Sequence, residues 1–116
     1  MTEDDFRALC LAFPDTVEGF NMGSTYFKTS GKDLARILGG GRIYFTGVPV
    51  EEVEMLTEAE PETFHFTAHY KDYPSVLARI ATLHPGSFRN FLDRRFRKIA
   101  KKSVVKAWEG EKARAG

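Results

Sequence analysis

The stretch TYFKTSGKDLARILGGGRIYFT, residues Thr25–Thr46, decides the fold that this sequence predicts. Segments rich in β-branched and aromatic residues alternate in it with short segments that contain glycine, which is the pattern of strands and turns. Connections this short exclude parallel neighbours, which need a crossover of about a dozen residues or more. The stretch therefore predicts an antiparallel meander. Its strands are Thr25–Thr29, Asp33–Leu38 and Arg42–Thr46, and its turns are Ser30–Lys32 and Gly39–Gly41.

Three amphipathic segments flank the strands and predict helices. The first covers Glu3–Phe13 and is stopped by Pro14. The second covers Pro49–Ala59, and its glutamates suit the positive end of a helix dipole. The third is one long helix that begins near Pro85 or Gly86 and carries its apolar residues at helical spacing.

A second hairpin is predicted between the second and third helices. Its strands are Phe64–Tyr70 and Ser75–Ala81, and its turn is Lys71–Pro74. The predicted order is thus α-β-β-β-α-β-β-α, an α+β fold with a single antiparallel sheet whose apolar face is covered by helices. A chain of 116 residues fits one such domain, 1–116, in which we expect residues 109–116 to form a frayed tail.

The residue types that carry most enzyme and metal chemistry are sparse or badly spaced. Cys10 is the single cysteine, so it cannot form a disulfide within the chain. His65 and His69 fall on a predicted strand, where a spacing of four residues spans about 13 Å, too far for one metal ion. We therefore expect no cofactor, no metal and no catalytic residue. An enzyme whose pocket lacks a sequence motif remains an alternative.

No basic, apolar leader opens the sequence, and no stretch approaches the roughly 20 apolar residues of a membrane helix. We expect a cytoplasmic protein without a membrane partner.

Positive charge is concentrated near the C-terminus. From Arg89 to Lys106 there are eight basic residues and one acid, although the net charge of the whole chain is only +1. Clustered lysine and arginine attract phosphates, so this helix is a candidate contact for nucleic acid or for an acidic protein surface. The alternative is a solvated helix whose cations complement its own dipole and the acidic helix nearby. The candidate residues on it are Arg94, Arg97, Lys98, Lys101 and Lys102.

Several stretches, in this order, resemble the YjbR/MmcQ-like family, also described as a double-wing DNA-binding family. The resemblance is carried by Gly23–Thr29 running into Gly31–Ala35, by Ala59–Phe64 and by Ala68–Leu77, and it extends from about Phe6 to Lys102. It implies an α+β domain in which two β-hairpins act as wings on DNA.

Transferred to this chain, the resemblance places one wing at Ser30–Lys32 or Gly39–Arg42 and the other at Lys71–Pro74. The second tip also carries two tyrosines, whose rings could stack on bases. The candidate contacts near the wings are Lys28, Lys32, Arg36, Arg42, Tyr70, Lys71, Tyr73 and Arg79. The first hypothesis is therefore a small non-catalytic DNA-binding protein, and the second is a protein-interaction module with an acidic partner. The oligomeric state is not predicted.

Overall fold

The computed structural model describes residues 1–66 and 74–115 of the chain. Six described strands form one sheet in the order β1-β2-β3-β4-β6-β5, and each neighbouring pair is antiparallel. The predicted α+β fold with a single antiparallel sheet is confirmed. The elements, in chain order, are α1 (Glu3–Leu11), β1 (Thr16–Asn21), β2 (Ser24–Thr29), β3 (Lys32–Leu38), β4 (Arg42–Thr46), α2 (Val50–Ala59), β5 (Phe64–His65), β6 (Ser75–Arg79), α3 (Pro85–Ile99) and α4 (Lys102–Ala115).

The predicted meander is confirmed as β2, β3 and β4, with strand ends that agree to within one residue. The β2–β3 hairpin has a two-residue turn in which Ser30 and Gly31 adopt φ values of 49° and 82°. Positive φ at both central residues is the geometry that matches the right-handed twist of a hairpin. The β3–β4 turn uses Gly40 and Gly41 in the same region, at 75° and 70°.

An additional strand, β1, precedes the meander and was missed by the sequence analysis. Helix α1 ends at Leu11 rather than at Phe13, and the chain then enters β1 at the edge of the sheet. The turn to β2 is formed by Met22 and Gly23, both with positive φ. Methionine is not typical of such a turn, so the sequence did not predict a turn here. Because β1 is largely exposed, it also lacks the alternation of buried and exposed residues by which a strand is recognised.

The prediction of a single long C-terminal helix was also wrong, because the helical structure is interrupted between α3 and α4. Ala100 is extended, with ψ of 149°, and its amide makes the last bond of α3 to the carbonyl of Phe96. The amide of Lys101 is instead satisfied by the Oγ of Ser30 in the β2–β3 turn, at 3.1 Å. Through this tertiary hydrogen bond, the Lys101 amide has an acceptor that belongs to neither helix.

Where a frayed tail was expected after Trp108, α4 continues as a helix to Ala115. The Trp108 ring lies 4.8 Å from the ring of Phe96 and 5.7 Å from that of Phe13, measured between centroids. Lys112 further along α4 reaches Asp93 on α3 at 3.8 Å. These contacts hold α4 against the domain.

The core lies on one side of the sheet and is rich in phenylalanine. Alternation along the strands sends one set of side chains to this side, including a row in register formed by Ile37, Ile43, Ala78 and Phe64. Helices α1 and α3 cover it, and the ring of Phe6 lies 4.5 Å from that of Phe88. The other side of the sheet, turned away from the core, is called the outer face below.

The second hairpin contributes β5 and β6, and β6 pairs with β4 on its other side. Residues 67–73 lie outside the described residues. They include most of the predicted strand Phe64–Tyr70 and most of the predicted turn Lys71–Pro74. The carbonyl of Pro74 accepts hydrogen bonds from the amides of Gly47 and Val48, which fixes the start of β6 beside the end of β4.

Candidate nucleic-acid interface

The register of the sheet brings several sequence-predicted residues together on the outer face. Tyr26 is paired with Arg36, Arg36 with Tyr44, and Tyr44 with Leu77. Side chains of paired residues point to the same side of a sheet, so one continuous row crosses all six strands. In order from β1 to β5 the row is Gly19, Tyr26, Arg36, Tyr44, Leu77 and His65.

Tyr26 is held in a fixed position at the β1 end of this row. Its ring lies over Gly19, where a Cβ atom would collide with it. The ammonium of Lys28 is 4.7 Å from the ring centroid, and the guanidinium of Arg36 is 5.8 Å from it. The ring therefore sits between two cations and contributes to their placement.

Arg36 is the best-anchored cation of the outer face. Its Nε is 3.4 Å from a carboxylate oxygen of Asp33, and its Nη1 donates to Asn21 and to Ser24 at 3.3 and 3.2 Å. Lys28, by contrast, has no carboxylate partner in the described part of the chain.

Arg42 and Arg79 form a second cationic group, on β4 and β6. They are directly opposite each other in the register. Arg42 donates to the carbonyl of Gly39 at 3.4 Å, and Arg79 donates to the carbonyls of Pro61 and Glu62 at 3.3 and 3.2 Å. Carbonyls orient these guanidinium groups but do not neutralise them, and no carboxylate pairs with either among residues 1–66 and 74–115. Like charges opposed across two strands repel each other.

The pKa of His65 is sensitive to the positive charge of this group. The pKa of His65 is lowered, chiefly because the ring is partly buried and then because Arg79 and Arg42 are close. Its Nδ1 is buried and has no hydrogen-bond partner within the described residues. A neutral imidazole is therefore favoured beside two arginines.

Among residues 1–66 and 74–115, the outer face thus carries four cations, Lys28, Arg36, Arg42 and Arg79, against one carboxylate, Asp33. Sequence analysis had chosen these four as candidates, but it missed Tyr26, Tyr44 and His65. The alternation of residues along β2, β4 and β5 shows that each of these three side chains points to one side of its strand. It does not show that they lie in one row, which follows only from the register of the strands.

The basic helix has a different electrostatic environment. Arg94 makes two hydrogen bonds to the carboxylate of Glu52 on α2, at 2.8 and 2.7 Å. Arg97 bonds to Asp93 at 2.6 Å and to Glu109 at 3.0 Å. These contacts raise the pKa of both arginines, and that of Glu52 is lowered. Much of the charge that made α3 conspicuous in sequence is therefore balanced locally.

The remaining candidates lie elsewhere or outside the described residues. Lys98, Lys101 and Lys102 are exposed at the α3–α4 junction. Lys32 is exposed at the start of β3, and the hydrogen bond from Lys101 to Ser30 brings the junction to this turn. Tyr70, Lys71 and Tyr73 lie outside the described residues, so the second wing is not placed.

No family model matches this sequence, and no curated protein matches it. Among solved structures, the chain is similar to Deinococcus radiodurans protein DR2400, which contains the DUF419 domain. The TM-score is 0.71 at 22% sequence identity, over 95% of this chain and 86% of that one. DUF419 is the YjbR/MmcQ-like family, so this structural neighbour belongs to the family named by the sequence resemblance, and the likeness shows a common fold.

Two further features bear on the class of site. None of the described helices is long and apolar enough to cross a membrane. Within residues 1–66 and 74–115, no three metal-ligating side chains gather at one place.

Proposed function

We propose that this chain is a non-catalytic DNA-binding member of the YjbR/MmcQ-like family, and that it holds the phosphate backbone on its outer face. The observation that carries the proposal is the charge arrangement of that face: of its four cations, only Arg36 is within salt-bridge distance of a described carboxylate. Unpaired cations on a broad surface are what phosphate recognition requires, since each phosphate contact releases bound counterions from DNA.

The contrast with α3 supports the choice of surface. Arg94 and Arg97 would have to give up their carboxylate partners to bind phosphate, whereas Arg42 and Arg79 have no such partner in the described part of the chain. A phosphate between the opposed arginines would also reduce their mutual repulsion, and this reduction would add to the free energy of phosphate binding.

Both candidate positions of the first wing border this surface. The β2–β3 and β3–β4 turns lie at opposite ends of β3, so they flank the outer face lengthwise. Contacts of this kind are mainly to phosphate and sugar, so they position the protein and carry little base sequence information.

The test is fluorescence anisotropy of a labelled DNA duplex at several salt concentrations. The double variant Arg42→Gln/Arg79→Gln should weaken binding and should reduce the slope of log affinity against log salt by about 0.9 for each lost phosphate contact. The matched control is Arg94→Gln/Arg97→Gln, which removes the same charge from α3 and should have a smaller effect on both quantities.

Two outcomes would overturn the proposal. If the wild-type protein does not bind duplex or single-stranded DNA at low salt, DNA binding is excluded. If the α3 control loses as much affinity and salt slope as the outer-face variant, the interface lies on the helix and not on the sheet.

A further inference from the structure

A cavity of about 290 Å³ lies between α3 and the segment that joins β4 to α2. It is distinct from the outer face, and none of the four outer-face cations lines it. Its volume is near the lower end of the range for small-molecule sites, roughly 300 Å³ and above. Of the described residues, four cations but no carboxylate line it, together with the apolar side chains of Phe45, Val48 and Phe91.

Two of the four lining cations carry their own counter-charges, and two do not. Arg94 is bound by Glu52, and Arg97 is bound by Asp93. Arg95 and Lys98 have no carboxylate within salt-bridge distance in the described part of the chain. They are three residues apart on α3, so their side chains lie on the same side of the helix.

Arg95 is oriented by the backbone and not by a counter-ion. Its Nε donates to the carbonyl of Asp33 at 3.0 Å. Its guanidinium crosses Gly47, where a Cβ atom would lie 3.0 Å from Nη1. Because Gly47 also has a φ of 78°, a side chain there would be both strained and crowded. Nε is therefore engaged, and the two Nη groups donate to no acceptor within the described residues.

The setting of Arg95 favours an anionic partner. Burial lowers the pKa of Arg95, and the nearby Asp33 carboxylate only partly offsets this effect. Arg36 engages one oxygen of Asp33, Oδ2, on the outer face, and the other oxygen is buried without a hydrogen-bond partner among the described residues. An arginine stays protonated at neutral pH even so. A partly desolvated charge that has no salt-bridge partner among the described residues is unfavourable, and a bound oxyanion would compensate it.

We propose that this cavity binds a small phosphate monoester, with its oxyanion on Arg95 and Lys98 and its organic part against Phe45, Val48 and Phe91. The planar fork of Arg95 suits two phosphate oxygens, and Lys98 adds a flexible point charge. The aromatic and aliphatic walls select an ester over inorganic phosphate.

The experiment is an amide NMR titration of the full chain with phenyl phosphate, and in parallel with inorganic phosphate. We expect phenyl phosphate to shift the amides of Gly47 and Val48 in a saturable way below about 10 mM, and inorganic phosphate to bind more weakly. Arg95→Gln should weaken binding of phenyl phosphate by about tenfold or more, as expected for loss of a charged hydrogen bond.

Lys98→Gln is the second variant, because Arg95 also helps to hold the β3 backbone and its replacement could disturb folding. It should weaken binding without changing the free energy of unfolding, whereas the control Lys102→Gln should leave binding unchanged. No saturable shift with either probe would overturn the site. Equal binding by wild type and Lys98→Gln, or shifts that map to the outer face, would overturn it too. A wild-type protein that binds phenyl phosphate but not DNA would retain this proposal and remove the outer-face one.

Discussion

Arg42 on β4 and Arg79 on β6 stand directly opposite each other, and among the described residues both donate to backbone carbonyl oxygens and neither pairs with a carboxylate. Two positive charges in this arrangement reduce the stability of the folded chain. Without a bound ligand the pair therefore lowers the free energy of unfolding, and an anion bound between the two side chains would remove this repulsion.

We predict that Arg79→Gln leaves the free energy of unfolding unchanged or raises it by about 0.2–1 kcal/mol, because one member of a repelling pair is removed. The same variant should bind DNA more weakly. Urea denaturation at low salt measures the first effect, and anisotropy measures the second. A loss of stability larger than about 1 kcal/mol would mean that the bonds of Arg79 to Pro61 and Glu62 outweigh the repulsion.

His65 allows a second, independent test of the field on the outer face. Its pKa is lowered by burial and then by Arg79 and Arg42, so the folded chain binds a proton less readily than the unfolded chain. Unfolded histidine titrates near pH ~6.5. Stability should therefore decrease as pH falls through that value, and the decrease should end once pH is below the folded pKa.

Thermal denaturation between about pH 7.5 and pH 5.5 measures this loss, which His65→Gln should reduce. By NMR titration, Arg79→Gln should raise the pKa of His65, and bound DNA should raise it further, because phosphate charge offsets the arginines. A pKa of His65 that does not respond to Arg79→Gln would contradict the electrostatic part of the explanation.

The sequence predicted the sheet better than it predicted the site. The meander was readable because glycine occupies turns that need positive φ, and the strands between them carry alternating buried residues. The sequence did not show that the charge of Arg94 on α3 is paired, because its partner, Glu52, is 42 residues away in sequence. Pairing of that kind depends on tertiary structure, as does the row that joins Tyr26, Arg36 and Tyr44.

The contact between α3 and α4 is expected to be important for stability. Phe96 is fully buried, with its ring 5.0 Å from that of Phe13 and 4.8 Å from that of Trp108. Phe96→Ala should lower the free energy of unfolding by about 3–5 kcal/mol, because it removes buried surface and leaves a cavity. Chemical denaturation followed by Trp108 fluorescence measures it. A loss below about 1 kcal/mol would show that α4 does not pack there.

The β1–β2 turn offers a stabilising substitution. Met22 has a φ of 50° and the residue is 97% exposed, so it bears the strain of the left-handed region without compensating burial. Asparagine tolerates this conformation, and Asn-Gly is the preferred pair for such a turn. Met22→Asn should raise the free energy of unfolding by roughly 0.5–1 kcal/mol. Gly23→Ala is the matched control and should lower it, because Gly23 has a φ of 77°. Urea denaturation of the three proteins checks both signs. If Met22→Asn were destabilising, the turn would have a different geometry from the one described, and the register of β1 against β2 would have to be revised.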